Sequence, residues 1–163
     1  EDEQPKEETS AKPLYGAFLL PNGARYEGNY VLKKPEKEAD LSATPSSSPP
    51  EPEEVKTIQF RQGQGIYKLD GNVYEGEWVL DKMHGHGLFK FMGGDSYDGD
   101  WVNSKFHGQG RYQWKSGAFY IGSWEENKMH GDGTFTDTEG RQWKGRFFNG
   151  QGPGLHTLET KTS

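Results

Sequence analysis

The chain has 163 residues, the length of one domain, with a mean hydropathy of -1.03, a net charge of -6 and no cysteine. These values exclude a large aliphatic core, disulfides and a thiolate metal site, and no apolar run reaches the roughly 18 residues that a membrane-spanning helix needs. The absence of cysteine fits a reducing compartment, so a cytoplasmic protein is expected.

Five Trp, eight Tyr and nine Phe all lie between Tyr15 and Phe148. An aromatic-built folded part is therefore expected between ends that cannot pack. The sequence opens on Glu1 rather than Met, as a trimmed chain would, so a removed leader peptide stays open.

Residues 1–13 hold five acidic and two basic groups and no bulky apolar side chain; they read as a disordered acidic tail. Residues 14–34 read as a first repeat. Tyr26-Glu-Gly28-Asn-Tyr30 sets its pattern, with Phe18, Leu20 and Gly23 ahead of it. Residues 35–58 interrupt the array. Pro35, Pro45, Pro49, Pro50 and Pro52 lack the N–H that a sheet ladder requires, so this Pro/Ser/Glu-rich stretch reads as a disordered insertion.

Residues 59–155 read as a continuous array. Tyr74, Tyr97, Tyr120 and Trp143 recur at a period of 23 residues. Gly76, Gly99, Gly122 and Gly145 follow each by two, and Trp78, Trp101, Trp124 and Phe147 by four. A fixed period of this size marks a repeat architecture. Spacing by two puts ring, glycine and ring on one face of a strand. Met92-Gly93-Gly94-Asp95, Lys115-Ser116-Gly117-Ala118 and Thr138-Glu139-Gly140 are turn signals, with a second turn around Asn103-Ser104-Lys105. Each unit should thus be an antiparallel hairpin. The fold class expected is all-β, a single-layer twisted antiparallel sheet of stacked hairpins, with ten to twelve strands in total.

The glycine of Tyr-x-Gly-x-Trp should let neighbouring rings lie over the backbone. The Gly-x-Gly after each His should supply backbone geometry closed to other residues. At the end of the array Pro153 stands in the His slot, which argues against further laddering. Leu155 and Leu158 should fold back as a cap, and residues 156–163 read as a tail.

His84, His107 and His130 invite a metal hypothesis. One repeat apart means about 10 Å across two strands, whereas zinc needs each ligand within about 2 Å. Turn and backbone hydrogen bonding is the expected role, and no metal or cofactor is expected. The Gly-x-Gly elements lack the Lys-Ser/Thr ending and following helix of a phosphate loop. Glu75, Glu77, Asp98 and Asp100 alternate with the rings, so they belong on the opposite, solvated face, as solubility and edge-protecting groups. No nucleophile elbow is present, so no catalytic residue is expected. No basic stripe is available for nucleic acid, and the same lack disfavours an anionic membrane.

Tyr74, Trp78, Tyr97, Trp101, Tyr120, Trp124 and Trp143 remain as the candidate protein-binding groove. A one-layer sheet has no second sheet to cover such a row, and Trp and Tyr are favoured interface anchors. A helix or extended peptide in the groove is the expected partner. Free terminal strands also make end-to-end self-association an expectation.

The units YDGDWVNSKFHGQG and its copies resemble the MORN repeat (membrane occupation and recognition nexus) over Leu14 to about Leu155, the insertion apart. The segment Gly131–Leu155 is similar to the closing repeat of small family members. The resemblance implies a single-layer antiparallel sheet with an aromatic groove. It also implies a non-enzymatic scaffold in a larger assembly, in cilia, flagellar axonemes, radial spokes or the cytoskeleton. Binding to phosphoinositide membranes and regulation of an enzyme in trans are the alternatives it carries.

Overall fold

The computed structural model describes residues 12–34, 57–152 and 156–158. The described residues form one open antiparallel sheet of eleven strands whose spatial order is their chain order. The strands are β1 (Leu14–Leu19), β2 (Arg25–Lys33), β3 (Ile58–Leu69), β4 (Asn72–Val79), β5 (Lys82–Lys90), β6 (Ser96–Val102), β7 (Lys105–Gln113), β8 (Phe119–Glu125), β9 (Lys128–Thr136), β10 (Gln142–Phe147) and β11 (His156–Leu158). The all-β, single-layer reading of the repeat pattern is what the chain adopts. Most of the proline-rich stretch, residues 35–56, lies outside the described residues, as do residues 1–11. The strands on either side of that stretch pair with each other, through to Lys33 and Ile58. Ile58, assigned above to the insertion, is therefore the first residue of β3.

Two kinds of turn join the strands, and they alternate from β4 onward. Leu20–Ala24, Phe91–Asp95, Trp114–Ala118 and Asp137–Arg141 are closed by hydrogen bonds between their end residues, and Gly23, Gly94, Gly117 and Gly140 take φ between 81° and 100° inside them. These are the turns that the Gly-containing signals mark. Asp70-Gly71, between β3 and β4, and Leu80-Asp81, Asn103-Ser104 and Glu126-Asn127 are instead two-residue turns in which both residues have positive φ. Two positive φ values in a row give the backbone twist that joins adjacent strands directly. Asp81, Ser104 and Asn127 each donate their N–H to the previous repeat, to the carbonyls of Arg61, Met83 and Phe106. That bond offsets the strain of Leu80 and Glu126, poor residues for this conformation.

A row of ten glycines crosses ten strands. Register pairs join Gly16, Gly28, Gly65, Gly76, Gly87, Gly99, Gly110, Gly122, Gly133 and Gly145 in unbroken succession. The Gly-x-Gly element divides into two roles. Its first member, such as Gly85 or Gly108, holds φ of 58° or 56°. Its second, such as Gly87, has an ordinary φ but no room for a side chain, because a Cβ would sit 2.5 Å from the Tyr74 hydroxyl. Only the first fulfils the conformational expectation; the second is a steric requirement.

Beside the glycine row the register jumps. Gly76 pairs with Gly87, but the next pair is Glu77 with His84, leaving extra residues on β5, a bulge. Glu77 accepts the His86 N–H at 3.3 Å, and Asp100 accepts the Gln109 N–H at 2.9 Å at the equivalent place. Glu75, Glu77 and Asp98 are exposed and Asp100 half-buried. They are on the polar face, as the alternation predicts, but Glu77 and Asp100 also hold the bulge and are more than solubilising charge.

The end of the array departs from expectation. β11 pairs with β10 through Lys144–His156, Trp143–Thr157 and Gln142–Leu158. Pairing therefore resumes three residues beyond Pro153, within the stretch read as a tail. Proline removes only its own N–H, and Pro153 itself lies outside the described residues. Leu158 is a strand residue rather than a cap folded over the hairpin, and Leu155 lies outside the described residues.

A candidate binding face built from two sets of rings

Tyr-x-Gly-x-Trp strands and Gly-x-Gly-x-Phe strands alternate, and each contributes one ring to a single register row. Tyr26, Tyr67, Tyr74, Phe89, Tyr97, Tyr112, Tyr120, Phe135 and Trp143 follow one another strand by strand. The row shares a face, yet its members are not equivalent. Tyr74, Tyr97 and Tyr120 are 0% exposed, whereas Tyr67, Phe89, Tyr112 and Phe135 are only half-buried.

The reason lies in the glycine row. Each tyrosine lies along its own strand, and its hydroxyl donates to the carbonyl three residues on: Tyr26 to Asn29 at 2.6 Å, Tyr74 to Glu77 at 2.9 Å, Tyr97 to Asp100 at 2.9 Å and Tyr120 to Ser123 at 3.2 Å. The ring thereby covers the glycine of the following strand. Each tryptophan reaches the other way, donating Nε1–H to the glycine carbonyl of the preceding strand: Trp78 to Gly65, Trp101 to Gly87 and Trp124 to Gly110, at 3.3, 2.9 and 3.1 Å. Each of these three Trp then stands edge-on between two tyrosines. Trp101 is 5.3 Å from both Tyr74 and Tyr97, at interplanar angles of 81° and 90°, an arrangement the ring quadrupoles favour. The chain of edge-to-face pairs continues from Tyr26 through Trp78, Trp101 and Trp124 to Phe147.

This packing corrects the sequence-derived groove. Tyr74, Trp78, Tyr97, Trp101, Tyr120 and Trp124 are sealed by one another, so they have almost no surface to present. Only Trp143 is half-buried. The rings that remain reachable come from the other strand type: Phe89, Phe91, Phe106, Tyr112, Trp114 and Phe135, with Met83 and Met129. A hollow of about 250 Å³ opens among Phe106, Tyr112, Trp114, Trp124 and Met129, with Asn127 and Lys128 at its side. A larger one, about 400 Å³, lies by β1 at the end of the ring row, where Arg25, Glu27 and Lys68 share its lining with Phe18, Leu19 and Tyr26.

Sequence reasoning passed over most of this second set. Met83, Phe106 and Met129 recur at the same step of 23, immediately before each His, and that step was the available signal. Arg61 occupies the corresponding place in β3. Its guanidinium lies 4.3 Å from the Trp78 ring centroid and pairs with Asp81 at 2.9 Å, so this end of the face carries a cation where later repeats carry Met or Phe.

Burial raises the tyrosine pKa values. Tyr26 and Tyr120 are pushed up to about 12 by loss of water around the phenol. Tyr112 also reaches about 12, by burial and by its bond to Asp95, and Tyr74 and Tyr97 are raised by burial as well. A group whose folded pKa exceeds its unfolded value near 10 stabilises the fold fully below that value and loses the contribution as pH climbs past it. The array should therefore lose stability as pH climbs above about 10, with phenolate absorbance and tryptophan fluorescence changing together when it unfolds. Phenols that ionise at about pH 10 in a still-folded protein would contradict this packing.

His84, His107 and His130 are half-buried and take several roles. The His107 carbonyl accepts from Tyr97 at 3.3 Å, but buried Nδ1 of His84 has no partner, so side-chain hydrogen bonding is not their common function. Among the described residues no three His, Asp or Glu side chains gather as metal ligands would, and no helix is long and apolar enough to cross a membrane.

No curated protein matches this chain. Residues 74–96, 97–119 and 120–140 each match the MORN repeat, and these spans hold the buried Tyr–Trp pairs of β4, β6 and β8. MORN repeats are non-catalytic modules that generally mediate protein or membrane interaction. Residues 74–140 are thus similar to three consecutive MORN repeats, and the strands before and after them extend the same sheet.

Proposed function

We propose that the chain is a non-enzymatic scaffold that grips a protein segment, a helix or an extended peptide, along the aromatic face. The observation that carries this reading is the half-buried set of rings at Phe89, Phe91, Phe106, Tyr112, Trp114 and Phe135. No second layer covers that face among the described residues, and apolar surface of this kind favours a partner. The rings are held by a sealed layer beneath them, so little side-chain entropy remains to be lost on binding. The ciliary or axonemal setting, with a radial-spoke-like assembly as its form, rests on the family resemblance alone.

The test is to place charge where a partner would sit and water can already reach. Trp114→Asp with Met129→Asp should leave the near-ultraviolet circular dichroism of the sealed rings in place. It should weaken capture of the native partner by at least about tenfold, the effect of losing about 1.4 kcal/mol. Unchanged capture by the folded double variant would remove the aromatic face as the binding surface.

A further inference from the structure

We propose that the two ends of the sheet are complementary and that a second copy of this chain pairs its β1 against β10, head to tail, in the strip that β11 now occupies. The surface concerned is the sheet edge, independent of the aromatic face.

The sheet alternates two strand types, and β1 lacks a predecessor. Gly65, Gly87, Gly110 and Gly133 each lie under a tyrosine of the preceding strand, namely Tyr26, Tyr74, Tyr97 and Tyr120. Gly16 holds the same place in β1, but no strand precedes it among the described residues. Its own neighbour Phe18 folds over it instead, 2.6 Å from where a Cβ would stand. Leu14–Leu19 also carries none of the features that blunt a free edge: no charge, no proline and no bulge. Leu19 is 74% and Tyr15 68% exposed.

The other end lacks a successor. β10 has Trp143 in the tyrosine slot and Gly145 in the glycine row, the strand type that elsewhere precedes a Gly-x-Phe strand. Trp143 is half-buried where Tyr74, Tyr97 and Tyr120 are sealed. Extending the glycine row from Gly145 to Gly16 of a second copy puts Lys144 opposite Ala17, Trp143 opposite Phe18 and Gln142 opposite Leu19. Among the described residues β11 pairs with those same three, Lys144, Trp143 and Gln142. It holds half of the six-residue edge of β10, so it is a placeholder that an incoming β1 displaces residue for residue. Ends related by translation do not close on themselves, so the product is an open row of copies.

The experiment uses the full chain. His156→Pro with Leu158→Pro removes the two donors that β11 turns toward Lys144 and Gln142 and should turn a protein of one size into a concentration-dependent ladder of multimers in sedimentation. Adding A17K and L19K should return it to a single copy. The chain has no native cysteine, so mixing A17C with K144C reports register directly. Oxidation should join the peptides bearing positions 17 and 144, about tenfold faster in the H156P/L158P background, and more slowly with β11 unaltered. Within one copy these positions lie nine strands apart, about 43 Å, so the linkage can form only between copies. Linkage of 17 to 17, no linkage in either background, or multimers indifferent to A17K and L19K would each overturn the proposal.

Discussion

Gly87→Ala should destabilise the array by about 3 kcal/mol, the upper range for forcing an extra carbon into a packed interior. The new Cβ would lie 2.5, 2.6 and 2.7 Å from three atoms of the Tyr74 phenol. That ring cannot withdraw. Its hydroxyl is tied to the Glu77 carbonyl at 2.9 Å, and Trp78 and Trp101 stand at 5.2 and 5.3 Å on either side of it. The backbone cannot withdraw either, since Gly87 is paired with Gly76 on one side and Gly99 on the other. Gly93→Ala is the matched control. A Cβ there meets nothing within 4 Å and its φ is not positive, so its effect should stay within about 0.5 kcal/mol. Chemical denaturation of both variants checks the pair. Equal midpoints would mean that the glycine row is a matter of composition and not of contact.

Trp101→Ala should cost still more, about 3–5 kcal/mol, the range for deleting a buried large aromatic side chain. The indole fills the space between Tyr74 and Tyr97 and also touches Phe89 and Phe106, with centroids 6.0 and 4.8 Å away. Its loss leaves a cavity and strips the Gly87 carbonyl of the indole N–H. Because each repeat contacts only its neighbours, a defect at the middle of the row should uncouple the hairpins on its two sides. The unfolding transition should broaden or split as well as shift. Hydrogen exchange should locate the early opening at β4 to β7. A sharp transition with an unchanged midpoint would show that the sheet is held by its ladder and not by its rings. The same variant is a poor probe of partner binding: the ring is 3% exposed, so lost capture would report lost folding. Trp114 and Met129 make the separation that Trp101 and Trp124 cannot.

The period of 23, the shared face of Tyr97, Gly99 and Trp101, the Gly-bearing turns and the polar-face position of Glu75 and Asp98 were all legible from residue order. Each is a local consequence of side chains alternating along a strand and of one unit repeating. Which rings stay accessible was not legible. Tyr97 and Tyr112 are both tyrosines of one register row, and only the direction each ring takes over the glycine row decides that the first is sealed and the second is reachable. That direction depends on the carbonyl of Asp100, on the absence of a Cβ at Gly110 and on Trp101 and Trp124 standing against the ring, all brought together across strands. The bulge held by Glu77, the placement of Arg61 over Trp78 and the return of the chain as β11 depend likewise on a neighbouring strand. Sequence by itself determined the repeating unit, because its terms are local. The tertiary structure alone decided which surface is left to bind, because burial belongs to neighbours and not to any one residue.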